Sequence, residues 1–258
     1  MKRNLLFTTV FLFVSFLCIG CGLDSFYYLD PPISGSHTPR YSDNDTMLYY
    51  FSFLTSETDT NGSFGDSDFT FLGTEVYYKI YNNVSNLANV NSAIDSMNTT
   101  SDVSAAATSL INSYGYKPLA FSGGTYRSPL VMATGSNVYV YIRPASDPTF
   151  YKDFAPAICF STKSISSVGD SEIPYITERL VPRRAVNSKY GFHFNSDDSN
   201  NPVPDSHDSD VSYGSFTESR VWYVDMYAVS LGRDSSYSPS YSKVLHLGTV
   251  PVREEWFD

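Results

Sequence analysis

Cys21 is the residue whose surroundings most clearly predict chemistry. Lys2 and Arg3 precede an uncharged apolar run over residues 5–17, and a small residue, Gly20, stands directly before the cysteine. A run of this length is too short to span a bilayer comfortably and is typical of the hydrophobic part of an export signal. The sequence therefore predicts an exported chain with a cysteine next to the cleavage site.

Residues 18–21, Cys-Ile-Gly-Cys, resemble the lipobox of bacterial lipoproteins, in the looser form that spirochaetal lipoproteins use. The resemblance implies that residues 1–20 are a signal peptide and that Cys21 is lipidated, which fixes the protein to the inner or outer membrane of the bacterial cell envelope. Several acyl chains hold a protein firmly, since each buried methylene contributes about 0.8 kcal/mol. Two alternatives stay open, namely plain secretion after cleavage and a retained membrane anchor.

The chain has three cysteines, and only one of them would stay free after this processing. Cys18 leaves with the signal peptide and Cys21 carries lipid, so no internal disulfide is expected. The remaining Cys159 lies between the apolar residues Ile158 and Phe160. This setting predicts a buried, inert side chain, because a catalytic thiolate needs a partner base and no neighbouring motif supplies one.

Histidines and carboxylates are the other residues that could do chemistry. The four histidines lie far apart and form no metal-spaced pair or nucleophile motif, so His246, within a strand, is expected to be structural. Segments 43–45, 66–68 and 195–210 could offer carboxylates to calcium, but none follows the EF-hand order. Two glutamate pairs could act as glycosidase carboxylates, but nothing places either pair across a cleft. The sequence thus predicts no catalytic, cofactor-binding or metal-binding residue. The remaining histidines are His37, His193 and His207, and the pairs are Glu172 with Glu178 and Glu254 with Glu255.

Charge and composition restrict the class of partner. The formal net charge is −10, and removal of residues 1–20 would make the chain still more acidic by taking away Lys2 and Arg3. An acidic chain is a poor match for nucleic acid, whose phosphates need clustered Lys and Arg. The expected partners are therefore a membrane, through the lipid, and a protein or carbohydrate ligand.

The pattern along the chain predicts a tether over residues 21–45 and one mainly β domain over residues 46–258. The tether is polar and proline-punctuated, and the domain is rich in Tyr and Phe, which favour strands. Residues 69–81 predict a strand pair or one long strand with a bulge at Gly73. The segments 130–133 and 138–142 predict a hairpin. Further strands are predicted over residues 47–54, 157–161, 190–194, 220–231 and 243–252.

Helical spacing replaces strand alternation over about residues 83–115. The first predicted helix begins at Asn83 or Ser85, and the second begins at Ser101 and ends at Gly115. Each carries one narrow apolar stripe. The two helices are therefore expected to form a hairpin that lies against the sheet.

The clearest fold signal lies near the end of the chain. Trp222, Val224, Met226 and Ala228 alternate onto one face, and a glycine and a polar turn lead into a strand over residues 243–247. This pattern resembles the last two strands of a fibronectin type III domain, and residues 73–81 are similar to the aromatic-rich third strand of that family. The resemblance implies an antiparallel immunoglobulin-like or fibronectin type III-like sandwich, with the helical hairpin inserted.

The function that these observations favour is binding or scaffolding by a membrane-anchored lipoprotein without catalysis. One alternative is a small-ligand or carbohydrate-binding module that uses Tyr77, Tyr81 or Trp256 as stacking platforms. The other alternative is an enzyme of unknown type. Exposed coplanar aromatic rings over a groove would favour the module, and convergent buried carboxylates or a histidine in a deep pocket would favour the enzyme.

Overall fold

The computed structural model describes residues 29–35, 49–55, 69–123, 128–132, 135–143, 156–161 and 180–254. This part of the chain is mainly β, with antiparallel sheets and two helices, so the predicted mainly β class is confirmed. No helix within these ranges is long and apolar enough to cross a membrane. Cys21 and most of the predicted tether lie outside the described residues.

The strands form two larger sheets and one small one. The first sheet has the order β1-β2-β6-β7, the second has the order β11-β10-β3-β4, and β5 pairs with β8. All of these pairs are antiparallel, while β9 pairs in parallel with the end of β3. In chain order the strands are β1 Ile33–Ser34, β2 Tyr49–Leu54, β3 Phe69–Tyr81, β4 Lys117–Pro118, β5 Ala120–Ser122, β6 Asn137–Arg143, β7 Ala157–Ser161, β8 Val181–Arg183, β9 Val211–Ser212, β10 Val221–Asp234 and β11 Pro239–Arg253.

The main hydrophobic core contains side chains from both larger sheets. Phe51 and Phe53 of β2 and Val140 of β6 join Val76 of β3 and Trp222 of β10 in one buried cluster. The alternating residues of β10 all belong to this cluster, so the predicted inward face is confirmed. These residues are Trp222, Val224, Met226 and Ala228.

The opposite face of the second sheet is buried as well. Tyr227 and Val229 of β10 have no exposed surface and pack in a second cluster together with Leu87, Ile94 and Leu110 from the helical segment. Both faces of the long strands are therefore covered and mostly apolar. Strands buried on both sides account for the nearly continuous apolar runs in this part of the sequence.

The helical segment consists of α1 (Val84–Asn98) and the short α2 (Ala105–Thr108), which continues as one π-helical turn over Ser109–Ser113. Of the two predicted caps, Asn83 is the one that caps α1, because its side chain accepts a hydrogen bond from the Asn86 amide. The predicted cap at Ser101 is wrong: α2 begins after Ser104, whose amide donates to the Asp102 carboxylate in the preceding turn. The predicted contact of both helices with the sheet is confirmed.

Two strand predictions differ from the structure. Val131 does not form a hairpin with β6. Its backbone instead exchanges two hydrogen bonds with Thr74 on the edge of β3 opposite β10. Residues 190–194 form no strand: the Tyr190 amide bonds to the Asn187 carbonyl in a local turn, and the Gly191 amide bonds to the Asn200 carbonyl. The single long strand β3 is confirmed, and its register shift lies beside Gly73, which has a φ of +139°.

Candidate functional site

Two of the three predicted stacking platforms are not exposed. Tyr77 is 7 % exposed and Tyr81 1 % exposed, and both belong to the cluster beneath the helices. The alternative in which these two rings serve as exposed stacking platforms is therefore wrong, since the helical segment covers the face of β3 on which they lie. The third platform, Trp256, lies outside the described residues, as do His37, Glu172, Glu178 and Glu255.

His246 lies in a polar network around the buried carboxylate of Asp225, which we call the Asp225 network. His246 Nε2 is 2.8 Å from Asp225 Oδ1, and the hydroxyls of Thr249 and Tyr116 donate to Oδ1 and Oδ2 at 2.5 and 2.7 Å. Burial, together with the charge of Asp225, raises the pKa of Tyr116, so that its hydroxyl remains a proton donor. The imidazole ring also stacks on Tyr227, with 4.5 Å between the ring centroids.

The Asp225 network fastens α1 to the second sheet. Asn91 of α1 accepts a hydrogen bond from the Tyr227 hydroxyl at 3.0 Å, and its amide nitrogen is 3.4 Å from Asp225 Oδ1. Further along the same helix, the Asn98 side chain exchanges two 2.9 Å hydrogen bonds with the backbone of Val244. The polar atoms of this network bind one another, so its geometry supports a structural role for His246, as its position in a strand predicts.

A second buried polar group lies at the end of the acidic segment 195–210, and we call it the Arg184 cluster. The Arg184 guanidinium, which is fully buried, binds both oxygens of Asp210 at 2.8 and 2.9 Å and Asp208 at 2.6 Å. Tyr78 donates its hydroxyl to Asp210 at 2.6 Å. These carboxylates therefore bind a cation that the protein itself supplies.

Two other acidic residues of the segment, Asp198 and Asp205, stabilise local turns. Asp198 accepts hydrogen bonds from the Asn200 amide and the Asn201 side chain, and the Asn201 bond in particular lowers the pKa of Asp198. Asp205 accepts a bond from the His207 amide. Among the described residues, no group of three or more His, Cys, Asp or Glu side chains is arranged to hold a metal ion.

Exposed apolar side chains are concentrated at one end of β10. Tyr213 is 52 % exposed, Phe216 38 % and Val84 37 %. We call these three residues the aromatic patch and residues 213–217, which carry its two rings, the aromatic loop. The patch holds half of the large, exposed hydrophobic side chains in the described ranges, and the others are Ile33, Met132 and Tyr237. Such a concentration is typical of an interaction surface.

The aromatic loop is held rigidly although it is exposed. The Asn82 side chain exchanges two 2.8 Å hydrogen bonds with the backbone of Gly214, and Asn83 donates to the Ser215 carbonyl at 2.7 Å. Thr217 adds two more bonds, from its amide to the Asn82 carbonyl and from the Val84 amide to its hydroxyl. The loop is therefore fixed to the end of β3 and the start of α1, which limits the entropy lost on binding.

The two exposed rings of the aromatic patch pack against the buried ring of Trp222. Tyr213 and Phe216 lie 6.0 and 5.1 Å from Trp222, and they are nearly perpendicular to each other, at 88°. An exposed ion pair, Arg253 with Glu218 at 2.6 Å, lies near the base of the loop. An apolar centre beside charged groups has the anatomy of a protein-binding surface, and perpendicular rings do not form a flat platform for a sugar.

Sequence reasoning did not find the aromatic patch. Its signal is two aromatic residues within the polar stretch Tyr213-Gly214-Ser215-Phe216-Thr217, where no alternation assigns them to a core. Comparison with known proteins adds nothing to this assignment, since no family model, curated protein or solved structure matches the chain.

Proposed function

We propose that this chain is an exported lipoprotein, fixed to a bacterial membrane through lipid on Cys21, that acts by binding a protein partner. The spirochaete-type lipobox at residues 18–21 supports the anchor. The rigid display of Tyr213 and Phe216 on the aromatic loop carries the binding role, because exposed aromatic residues on a pre-organised backbone form interface hot spots. The buried carboxylates of Asp225 and Asp210 are bound by neighbouring side chains, which favours binding over catalysis.

The proposal includes the assignment of the fold as an immunoglobulin-like or fibronectin type III-like sandwich. Two face-to-face sheets around one core support a sandwich, and the order β11-β10-β3 matches the G, F and C strands of immunoglobulin-like domains. The first sheet departs from that family. In the family's sheet order A-B-E-D, strand E lies beside B and comes after the outer strand D in the chain. Here β6 lies beside β2 and comes before the outer strand β7 in the chain. The fibronectin type III-like assignment therefore depends on the second sheet.

Replacing Cys21 with serine tests the anchor. Labelling with palmitate should mark the wild-type chain and leave Cys21→Ser unlabelled, because the hydroxyl does not replace the thiolate as acceptor. The variant should also leave the membrane fraction. A matched Cys18→Ser variant should keep both label and membrane attachment. Continued labelling of Cys21→Ser would contradict the lipidation proposal.

Site-specific photo-crosslinking in intact cells tests the binding surface. A photoreactive residue at position 213 should give a discrete protein adduct, and the same residue at position 237, exposed at the other end of β10, should not. Adding Phe216→Ala should remove the adduct, since truncating a hot-spot ring costs about 2 kcal/mol, or roughly 30-fold in affinity. Identical adducts at positions 213 and 237, or none at position 213, would contradict the proposed surface. Thermal melts of each variant serve as the folding control.

A further inference from the structure

Glu75 is a buried acid in the middle of β3. It is 5 % exposed, and its Oε1 atom accepts hydrogen bonds from the Val76 amide at 3.2 Å and the Leu130 amide at 3.4 Å. No lysine, arginine or histidine of the described residues forms an ion pair with it. A carboxylate without a cation is costly to bury, so this environment favours the protonated form.

The Leu130 amide belongs to residues 128–132, which we call the edge segment because Val131 pairs with Thr74 on the edge of β3 opposite β10. The Thr74 amide donates to the Val131 carbonyl at 2.7 Å, and the Val131 amide donates to the Thr74 carbonyl at 2.9 Å. A Cβ at Gly73 would collide with the Val131 carbonyl oxygen, so glycine permits this close approach. Glu75 thus supplies the side-chain hydrogen bond that accompanies a short backbone bridge.

Burial, rather than a neighbouring charged group, determines the protonation of Glu75. Val229 is opposite it on β10, and the edge segment contains no ionisable residue. The titratable neighbours are Tyr77 on the same strand and, beside Tyr77, Tyr241 on β11. Burial raises the pKa of Tyr77, so its hydroxyl is uncharged at neutral pH. Burial likewise raises the pKa of Glu75 from 4.5 to about 7, against the opposite effect of the Val76 and Leu130 amides.

We propose that Glu75 is a proton-controlled latch that holds the edge segment against β3 when the carboxyl is protonated and releases it when the proton is lost. A protonated carboxyl still accepts both amide hydrogen bonds through one oxygen. A carboxylate needs hydration, which it obtains by separation of the edge segment from the strand. The device is independent of the aromatic patch and of the lipid anchor.

The direction of the pH effect follows from the two states. The closed state binds the proton with a pKa of about 7, and the open, hydrated state with the ordinary value of 4.5. Closure is therefore fully stabilised below pH 4.5, and that stabilisation is lost as the pH rises through 7. The open-to-closed ratio should rise roughly tenfold per pH unit across this window, by about 300-fold in total, and stay constant above it.

Hydrogen exchange of the full chain, followed by mass spectrometry and corrected for intrinsic rates, tests the latch. For the peptides that contain the Thr74 and Val131 amides, the open-to-closed ratio should be roughly 50–100-fold higher at pH 8 than at pH 5. Glu75→Gln should abolish this dependence, because the amide is a neutral acceptor of similar shape. Glu218→Gln, which removes an exposed carboxylate, should leave it unchanged.

Two results would overturn the latch. One is an open-to-closed ratio at Thr74 and Val131 that is the same at pH 5 and pH 8 in the wild-type protein. This measurement requires no variant. The other is an equal pH dependence in wild type and Glu75→Gln. Peptides from the paired strands β10 and β11 report global unfolding, so a pH effect of equal size there would also contradict a local latch.

Discussion

Replacing Arg184 with methionine should lower the free energy of unfolding by about 3–5 kcal/mol, because it leaves the Asp210 carboxylate buried without its cation. Both residues have fully buried side chains, and the guanidinium binds both oxygens of Asp210. Methionine preserves most of the volume of arginine, so the loss of charge rather than a cavity should dominate. Urea melts of the two proteins at one pH give the difference directly.

An exposed ion pair with the same separation provides the control. Arg253 and Glu218 are 2.6 Å apart, as are Arg184 and Asp208, but about half of each Arg253 and Glu218 side chain is exposed. Arg253→Met should therefore cost less than about 1 kcal/mol. Equal costs for the two arginine variants would show that burial does not determine the strength of the Arg184 cluster.

A second variant separates charge from packing within the Arg184 cluster. Asp210→Asn in the Arg184→Met background removes the stranded negative charge, so the double variant should be more stable than the sum of the two single effects. A strictly additive result would mean that Arg184 and Asp210 contribute independently, contrary to their bidentate hydrogen bonds.

The sequence predicts those elements whose pattern involves residues close together in the chain. The alternation through Trp222, Val224 and Met226 predicts which residues of β10 face the main core, because side-chain period and strand geometry are linked. The cap of α1 at Asn83 was predictable for the same reason, since the capping bond spans three residues.

Features that depend on distant contacts were not predictable in this way. Alternation shows that Tyr77 and Tyr81 share a face, but it does not show that α1 and α2 cover that face. The partner of Arg184 lies 26 positions away across an irregular segment, so no spacing rule connects Arg184 with Asp210. The exposure of Tyr213 and Phe216 depends on the hydrogen bonds from Asn82 to Gly214 and from Asn83 to Ser215, and the two residues of each pair are 132 positions apart.

Trp222→Ala should lower the free energy of unfolding by about 3–5 kcal/mol, as expected for a large-to-small change in a well-packed core. The indole is almost fully buried, contacts Phe194 edge to face, and donates its N–H to Glu254 at 2.9 Å. Truncation would therefore leave a cavity between the sheets and remove one hydrogen bond. A guanidinium melt compared with wild type provides the measurement.

Val229→Ala on the opposite face is the comparison. Val229 has no exposed surface either, so its smaller expected cost, about 2 kcal/mol, follows from the smaller size of its side chain. Trp222 also contacts Phe216 and Tyr213, so its loss should loosen the aromatic loop. The position-213 adduct should therefore be weaker in Trp222→Ala under native conditions. Val229→Ala should leave that adduct unchanged. A negligible effect of Trp222→Ala on stability would overturn the assignment of faces in β10, and an unchanged adduct would show that Asn82 and Asn83 hold the loop without the indole.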